Sequence, residues 1–228
     1  MLLYDKNDNL FDTTDFKEFK EGKCANIFRK DNLILKRYKS ECPFRFYFSR
    51  KVFEELKKLD LDGIVKLYDY YYNNKGKLGH VFLPEVYTME YIDNPNISLL
   101  EQDKEYLLDI ISRLEHDINI LSNNKIELGD AHNENIIFRE NDAKIIDIDS
   151  FTMYKRINDK RILLNNKKEL LYYVKSTLKY ELKKRNMYDY KFEFIFNYEY
   201  NNALNYGTVT DYLNKVIDDG KIEYTFKK

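Results

Sequence analysis

Asp130, Asn135 and Asp147 are the residues whose types and spacing could do chemistry. They lie in "GDAHNENIIF" and "AKIIDIDSF", as Asp, then Asn five positions on, then Asp twelve further. Each stands beside an apolar, strand-like run, so its side chain is offered by a rigid element and not by a free loop. Two ionised carboxylates brought to about 4 Å repel by roughly 4 kcal/mol at an effective dielectric of about 20. Such a pair takes up a proton or recruits a cation. One or two carboxylates with an amide oxygen suit Mg²⁺, which keeps further positions for water and phosphate oxygens. Upstream, "EGKCANIFRKDNLILKRY" offers the opposite charge: a small-residue turn, Gly22 to Ala25, precedes one strand, and Lys36 closes the next apolar run. A buried ammonium either loses its proton or needs an anion, and phosphate oxygens would serve. The chemistry in prospect is phosphate handling with a divalent metal.

The elements that must position these residues follow from the hydrophobic pattern. Ala25 to Phe28 and Leu33 to Leu35 read as a hairpin joined by residues 29–32. In "RKVFEELKKL" the period changes, and Val52, Phe53, Leu56 and Leu59 share a helical face. "GIVKLYDYYY" and "HVFLPEVYTMEYI" return to β-branched and aromatic runs and read as strands. "DNPN" then breaks the pattern. Beyond it Leu107, Ile111, Leu114, Ile118 and Leu121 form the stripe of a helix that ends near "SNNK". Leu170, Val174, Leu178 and Leu182 mark another helix, and Val209, Leu213, Val216 and Ile217 a shorter one. "YDYKFEFIFNYEY" suits a strand by alternation and a helix by its neighbourhood. The pattern predicts an α+β chain: a strand-rich N-terminal lobe with one helix, residues 1–92, and a mostly helical C-terminal lobe, residues 93–228.

Composition sets the bounds. The chain has 228 residues, 43% hydrophobic and 34% charged, enough for one large domain or two small lobes. Its 38 basic and 39 acidic side chains nearly balance, which argues against a nucleic-acid or membrane-surface partner. The start "MLLYDKNDNL" lacks a basic region followed by an apolar one, and no run approaches the roughly 20 apolar residues of a membrane span. A soluble, cytoplasmic protein is expected. Cys24 and Cys42 lack zinc-ligand spacing and are expected to be free thiols.

Taken together, the motifs resemble those of the protein kinase-like superfamily over about residues 18–152. "KEGKCANIF" resembles the loop G-x-G-x-x-G-x-V with only its middle glycine kept, at Gly22, and "LILK" is similar to the strand V-A-I-K. "YTMEYI" is similar to the hinge joining the lobes, "LGDAHNENII" to the catalytic loop H-R-D-x-x-x-x-N, and "KIIDID" to the D-F-G strand. The resemblance implies ATP and Mg²⁺ as cofactors and transfer of the γ-phosphate to a hydroxyl of a protein or a small molecule. It implies that Asp130 orients the acceptor hydroxyl and takes its proton, that Asn135 and Asp147 hold the metal, and that Lys36 pairs with the phosphates. Gly22, Ala25, Ile27, Glu55, Met89, Glu90 and Ile92 would complete the nucleotide site, Glu55 as partner of Lys36 with Glu54 as the alternative.

The departures from that family are as informative. Leu128 and Gly129 replace the catalytic-loop His and Arg, and "GDAHNEN" is closer to the H-G-D-x-H-x-x-N loop of aminoglycoside and choline kinase-like phosphotransferases. Asp149 replaces the glycine of D-F-G, and no A-P-E segment follows. A minimal Ser/Thr protein kinase-like enzyme, a small-molecule phosphotransferase and a pseudokinase all stay open. Each residue also has a plainer reading. Asp130 could cap a loop and Asn135 and Asp147 could be turn residues; Lys36 could snorkel from an edge strand; His132 reads better as a loop hydrogen-bonder than as a metal ligand.

Overall fold

The computed structural model describes residues 2–39, 49–73, 86–93, 97–189 and 207–218. Cys42, the break after Asp93, the first half of "HVFLPEVYTMEYI" and the aromatic run over 190–200 lie outside them. The chain is α+β and divides into two compact units, Met1–Asp60 with Val65–Asn94, and Leu61–Ile64 with Pro95–Lys228.

The first unit is built on an antiparallel five-stranded sheet in the order β3-β4-β5-β7-β6: β3 Lys17–Glu21, β4 Ala25–Lys30, β5 Leu33–Tyr38, β6 Leu67–Tyr71 and β7 Val86–Glu90. The expected hairpin is β4–β5, with a turn tighter than the four residues between its apolar runs. Asp31, at φ 50°, supplies the left-handed step that lets pairing run out to Lys30 and Leu33. Two short strands that the sequence pattern does not mark, β1 Leu3–Tyr4 and β2 Leu10–Phe11, pair with each other. Leu3, Leu35, Tyr71 and Val86 form a buried cluster, against which Phe11, Phe16 and Phe28 pack. Helix α1, Arg50–Leu56, begins at Ser49, whose side chain accepts the Val52 N–H. It lays Phe53 edge-on against Tyr70 and Tyr87 of the sheet, at centroid distances of 5.4 and 5.9 Å.

The second unit is organised by α2, Lys104–Asn123, which packs against α3, Asp159–Lys184, and α4, Val209–Asp218. The stripes expected from the sequence are the buried ones. The five stripe residues Leu107, Ile111, Leu114, Ile118 and Leu121 are all buried, and so are Leu170, Val174, Leu178 and Leu182. Each contributes roughly 1.5–3 kcal/mol by leaving water. Carboxylates close the helix ends. Glu115 of α2 is 6% exposed and accepts the Val209 N–H (2.8 Å) at the start of α4, where unpaired N–H groups favour negative charge. Glu181 of α3 does the same for the 3-10 turn Leu99–Glu101, accepting from the Leu99 and Leu100 N–H groups, both at 3.0 Å. Short strands β8 Ile126–Glu127, β9 Ile136–Phe138, β10 Ala143–Ile145 and β11 Thr152–Met153 form two antiparallel pairs, β9 with β10 and β8 with β11.

Among the described residues no helix is long and apolar enough to cross a membrane. One expectation is corrected: Cys24 is disulfide-bonded and not a free thiol. Spacing along the chain says nothing of which cysteines the fold brings within bonding reach.

Asp117 of α2, 3% exposed, accepts the Gly63 N–H and so ties residues 61–64 to the helix. Burial raises its pKa above the ordinary 3.8, partly offset by the Gly63 N–H. A carboxyl raised on folding stabilises fully below its unfolded pKa, and that contribution is lost as pH rises through the folded value. Asp117→Asn, whose amide oxygen can still accept from Gly63, is therefore expected to be more stable than the wild type at pH 7. The advantage should vanish near pH 3, which urea unfolding at the two pH values checks.

Candidate functional site

In the first unit, register decides which expected residues are neighbours. Ile27 of β4 lies opposite Lys36 of β5, Lys36 opposite Tyr87 of β7, and Tyr87 opposite Tyr70 of β6, so these four form one cross-strand row. Directly paired residues share a face, and Tyr70 and Tyr87 touch Phe53 of α1. Lys36 therefore faces the side on which α1 packs. It is 8% exposed, and its Nζ lies 5.9 Å from the Tyr87 ring and 6.0 Å from that of Tyr38. Glu54 joins the same row from the helix, accepting from the Tyr70 hydroxyl (2.6 Å) and Arg50 Nε (3.0 Å). Those two bonds hold the Glu54 carboxyl below the usual range, while burial and the Glu54 bond raise the Tyr70 phenol. Glu55, the residue expected opposite Lys36, forms an ion pair with Lys58 at 2.8 Å.

The turn before β4 is closed by the Gly22 N–H donating to the Ala25 carbonyl at 2.8 Å. A Cβ on Gly22 would meet that same oxygen at 2.8 Å, so a side chain there would force the turn open. At the other end of the sheet, Met89 pairs with Ile34 and Glu90 with Leu33. The Glu90 N–H donates to the Lys66 carbonyl (2.9 Å), while its side chain accepts the Lys66 N–H (2.8 Å). Ile92 is buried.

In the second unit, two hairpin-like pairings assemble the polar loop. Strands β9 and β10 pair Ile136 with Ile145, which sets Asn135 across from Ile146, and the Ile146 N–H donates to the Asn135 carbonyl at 2.9 Å. Asp147 follows directly. Asn135 in turn grips Asp130: its Nδ2 donates to the Asp130 carbonyl at 2.9 Å and lies 3.5 Å from Asp130 Oδ2. Three residues spread over eighteen positions of sequence are thus joined through one amide side chain and one strand pair. Asp147 Oδ1 accepts the Asp149 N–H at 3.1 Å, which gives Asp149 a part in shaping the loop.

The β8–β11 pairing runs residues 126–129 beside 150–153, and Gly129 sits so close to Ser150 that a Cβ would meet the Ser150 carbonyl oxygen at 2.8 Å. Glycine is needed there for want of space. Asp130, next in line, has φ 53°, a left-handed conformation that Asp and Asn tolerate better than most residues. His132 accepts the Glu134 N–H on Nδ1 (3.2 Å), so a neutral ring carries its proton on Nε2, the nitrogen 3.6 Å from Asp130 Oδ2.

The sequence reading missed the residues of α3 that hold this loop from behind. Asn166, fully buried, accepts the Leu128 N–H (2.7 Å) and donates to Ser122 Oγ and the Ile126 carbonyl (both 2.9 Å). Glu169 accepts the Ala131 N–H at 3.3 Å. Burial raises the Glu169 carboxyl, the Ala131 bond lowers it, and the charges of Glu127 and Asp130 raise it further. Tyr173, buried one turn on, has no hydrogen-bond partner for its hydroxyl among the described residues, and burial together with the charges of Glu169, Asp147 and Asp130 raises its phenol. The signal was in the pattern: Asn166 continues the buried stripe of Leu170, Val174 and Leu178 at the same four-residue spacing, and a polar residue on a core stripe must have partners.

No protein-family model matches the chain, and no curated protein matches it. The residues themselves carry the functional reading.

Proposed function

We propose that the chain is an ATP- and Mg²⁺-dependent phosphotransferase with a two-lobed protein kinase-like fold and a reduced C-terminal lobe, acting as a minimal Ser/Thr protein kinase-like enzyme. The observation that carries the reading is the junction of Asp130, Asn135 and Asp147. Asn135 binds the Asp130 backbone through Nδ2, and its carbonyl accepts the N–H of Ile146, the residue before Asp147, beside the β9–β10 pairing.

The donor set suits the metal. With Nδ2 committed to Asp130, the Asn135 amide offers its oxygen, and Asp147 offers a carboxylate. Two hard oxygen donors leave the remaining positions for water and phosphate, as Mg²⁺ requires. Among the described residues no group of three or more His, Cys, Asp or Glu could hold a metal ion, and this donor set calls for a single carboxylate. When bound, the ion neutralises charge on the phosphates.

Transfer of this kind has a loose transition state, so positioning and charge neutralisation dominate and a strong base is unnecessary. Asp130 would accept the hydrogen bond of the acceptor hydroxyl and take its proton as the new O–P bond forms, while the γ-phosphorus bond to the β-phosphate oxygen breaks and ADP leaves. Lys36, with Gly22, Ala25, Ile27, Met89, Glu90 and Ile92, would hold the nucleotide.

The test is incubation of the purified protein with γ-labelled ATP and Mg²⁺, following label on protein, itself included, and on low-mass hydroxyl compounds. Label on protein is the expected result. Label on small molecules alone would move the chain to the aminoglycoside and choline kinase-like side. Thermal stabilisation by Mg²⁺-ATP without any transfer would mark a nucleotide-binding module, and the absence of both stabilisation and transfer would end the phosphotransferase reading.

A further inference from the structure

We infer that Glu169 of α3 is a positioning residue for Asp130, fixing the orientation of the peptide that follows it. The inference deepens the phosphotransferase reading and rests on it for its kinetic part only.

The Asp130–Ala131 peptide is gripped on both of its polar atoms. Its carbonyl accepts from Asn135 Nδ2 at 2.9 Å, and its N–H donates to Glu169 Oε2 at 3.3 Å. Asp130 has φ 53°, a conformation that a non-glycine residue keeps only when its surroundings over-determine it. The Asn135 bond alone leaves the peptide a hinge about its carbonyl. The bond from Glu169 removes that freedom, because rotating the peptide would leave the N–H of Ala131, a residue 4% exposed, without a partner.

Position on α3 supports the role. Glu169 lies between Asn166, which anchors the Leu128 N–H, and Tyr173, whose buried hydroxyl senses the charges of Asp130, Asp147 and Glu169. One helical face thus places Asn166, Glu169 and Tyr173 behind the loop at spacings of three and four. A carboxylate half-buried beside Glu127 and Asp130 is electrostatically unfavourable. A glutamate kept there needs a reason, and its hydrogen bond to Ala131 supplies one.

The experiment compares the full chain with Glu169→Ala and Glu169→Gln, using two readouts. The first is hydrogen exchange of the Ala131 amide followed by NMR, which needs no turnover. The second is steady-state ADP release from Mg²⁺-ATP. Glu169→Ala should speed Ala131 exchange about tenfold through loss of its acceptor. It should lower kcat by about a hundredfold, the scale of a small misplacement of a catalytic group, with the KM for ATP within about twofold. Glu169→Gln keeps an oxygen acceptor and should hold both readouts within about threefold of the wild type. Should the Ala variant fail to fold, Glu169→Asp, one methylene shorter, takes its place with the same expectations. The inference is overturned if Ala131 exchange is unchanged in the truncated variant, if exchange rises while kcat stays, or if Gln is as impaired as Ala. A wild-type chain that releases no ADP would instead refute the phosphotransferase reading, with Ala131 exchange still deciding whether Glu169 holds the loop.

Discussion

Asp130→Asn is expected to fold and to bind Mg²⁺-ATP as the wild type does, while phosphate transfer falls about a thousandfold, the scale of losing a positioned proton acceptor. Asparagine suits the experiment because Asp130 sits at φ 53°, which Asn tolerates, and because its amide keeps the shape of the side chain. It cannot take the acceptor proton. Asp130→Ala should show the same kinetic defect with an added stability loss of about 1 kcal/mol, since alanine is strained in the left-handed region. Calorimetric titration with Mg²⁺-ATP and label transfer, run on the same preparations, separate the two effects. Normal transfer by the Asn variant would remove Asp130 from the mechanism and leave it a loop residue.

Asn166→Leu is expected to produce the largest loss of stability, about 3 kcal/mol or more, from two buried groups left unsatisfied. The side chain is fully buried and makes three hydrogen bonds, to the Leu128 N–H, the Ile126 carbonyl and Ser122 Oγ. Leucine is close in volume, so the loss reports hydrogen bonding and not a cavity. Ser122 keeps its own bond to the Ile118 carbonyl at 2.7 Å, but the Leu128 N–H and Ile126 carbonyl lose theirs. Because these flank the approach to Asp130, transfer should fall as well. Urea unfolding with an unchanged slope but a lower midpoint is the expected signature. A change within about 0.5 kcal/mol, the range of an ordinary surface substitution, would show that the loop does not depend on α3.

These expectations draw on two kinds of information. The helices α2, α3 and α4 and the β4–β5 hairpin were legible in the chain because each is marked by a local period, and burial followed it residue by residue from Leu107 to Leu121. The candidate loop was legible for the same reason: Asp130, Asn135 and Asp147 stand against apolar runs that became strands next to them. Strands β1 and β2, of two residues each, are too short to show a period. Between Glu54 and Glu55 the helical pattern did not decide, since adjacent residues of a helix point only about a quarter-turn apart. It took the Tyr70 hydroxyl, sixteen residues on, to bring Glu54 to the sheet.

The sequence by itself determined the α+β class, the principal helices and the polar loop, because side-chain period and local composition are properties of neighbours in the chain. Only the tertiary structure decided that Cys24 is bonded, that Asp130 adopts a left-handed backbone, and that Asn166 and Glu169 hold the loop from 38 residues away. Contacts of that separation depend on how α3 packs against β8 and α2, and the identity of a buried polar partner is fixed by which backbone groups that packing leaves without one.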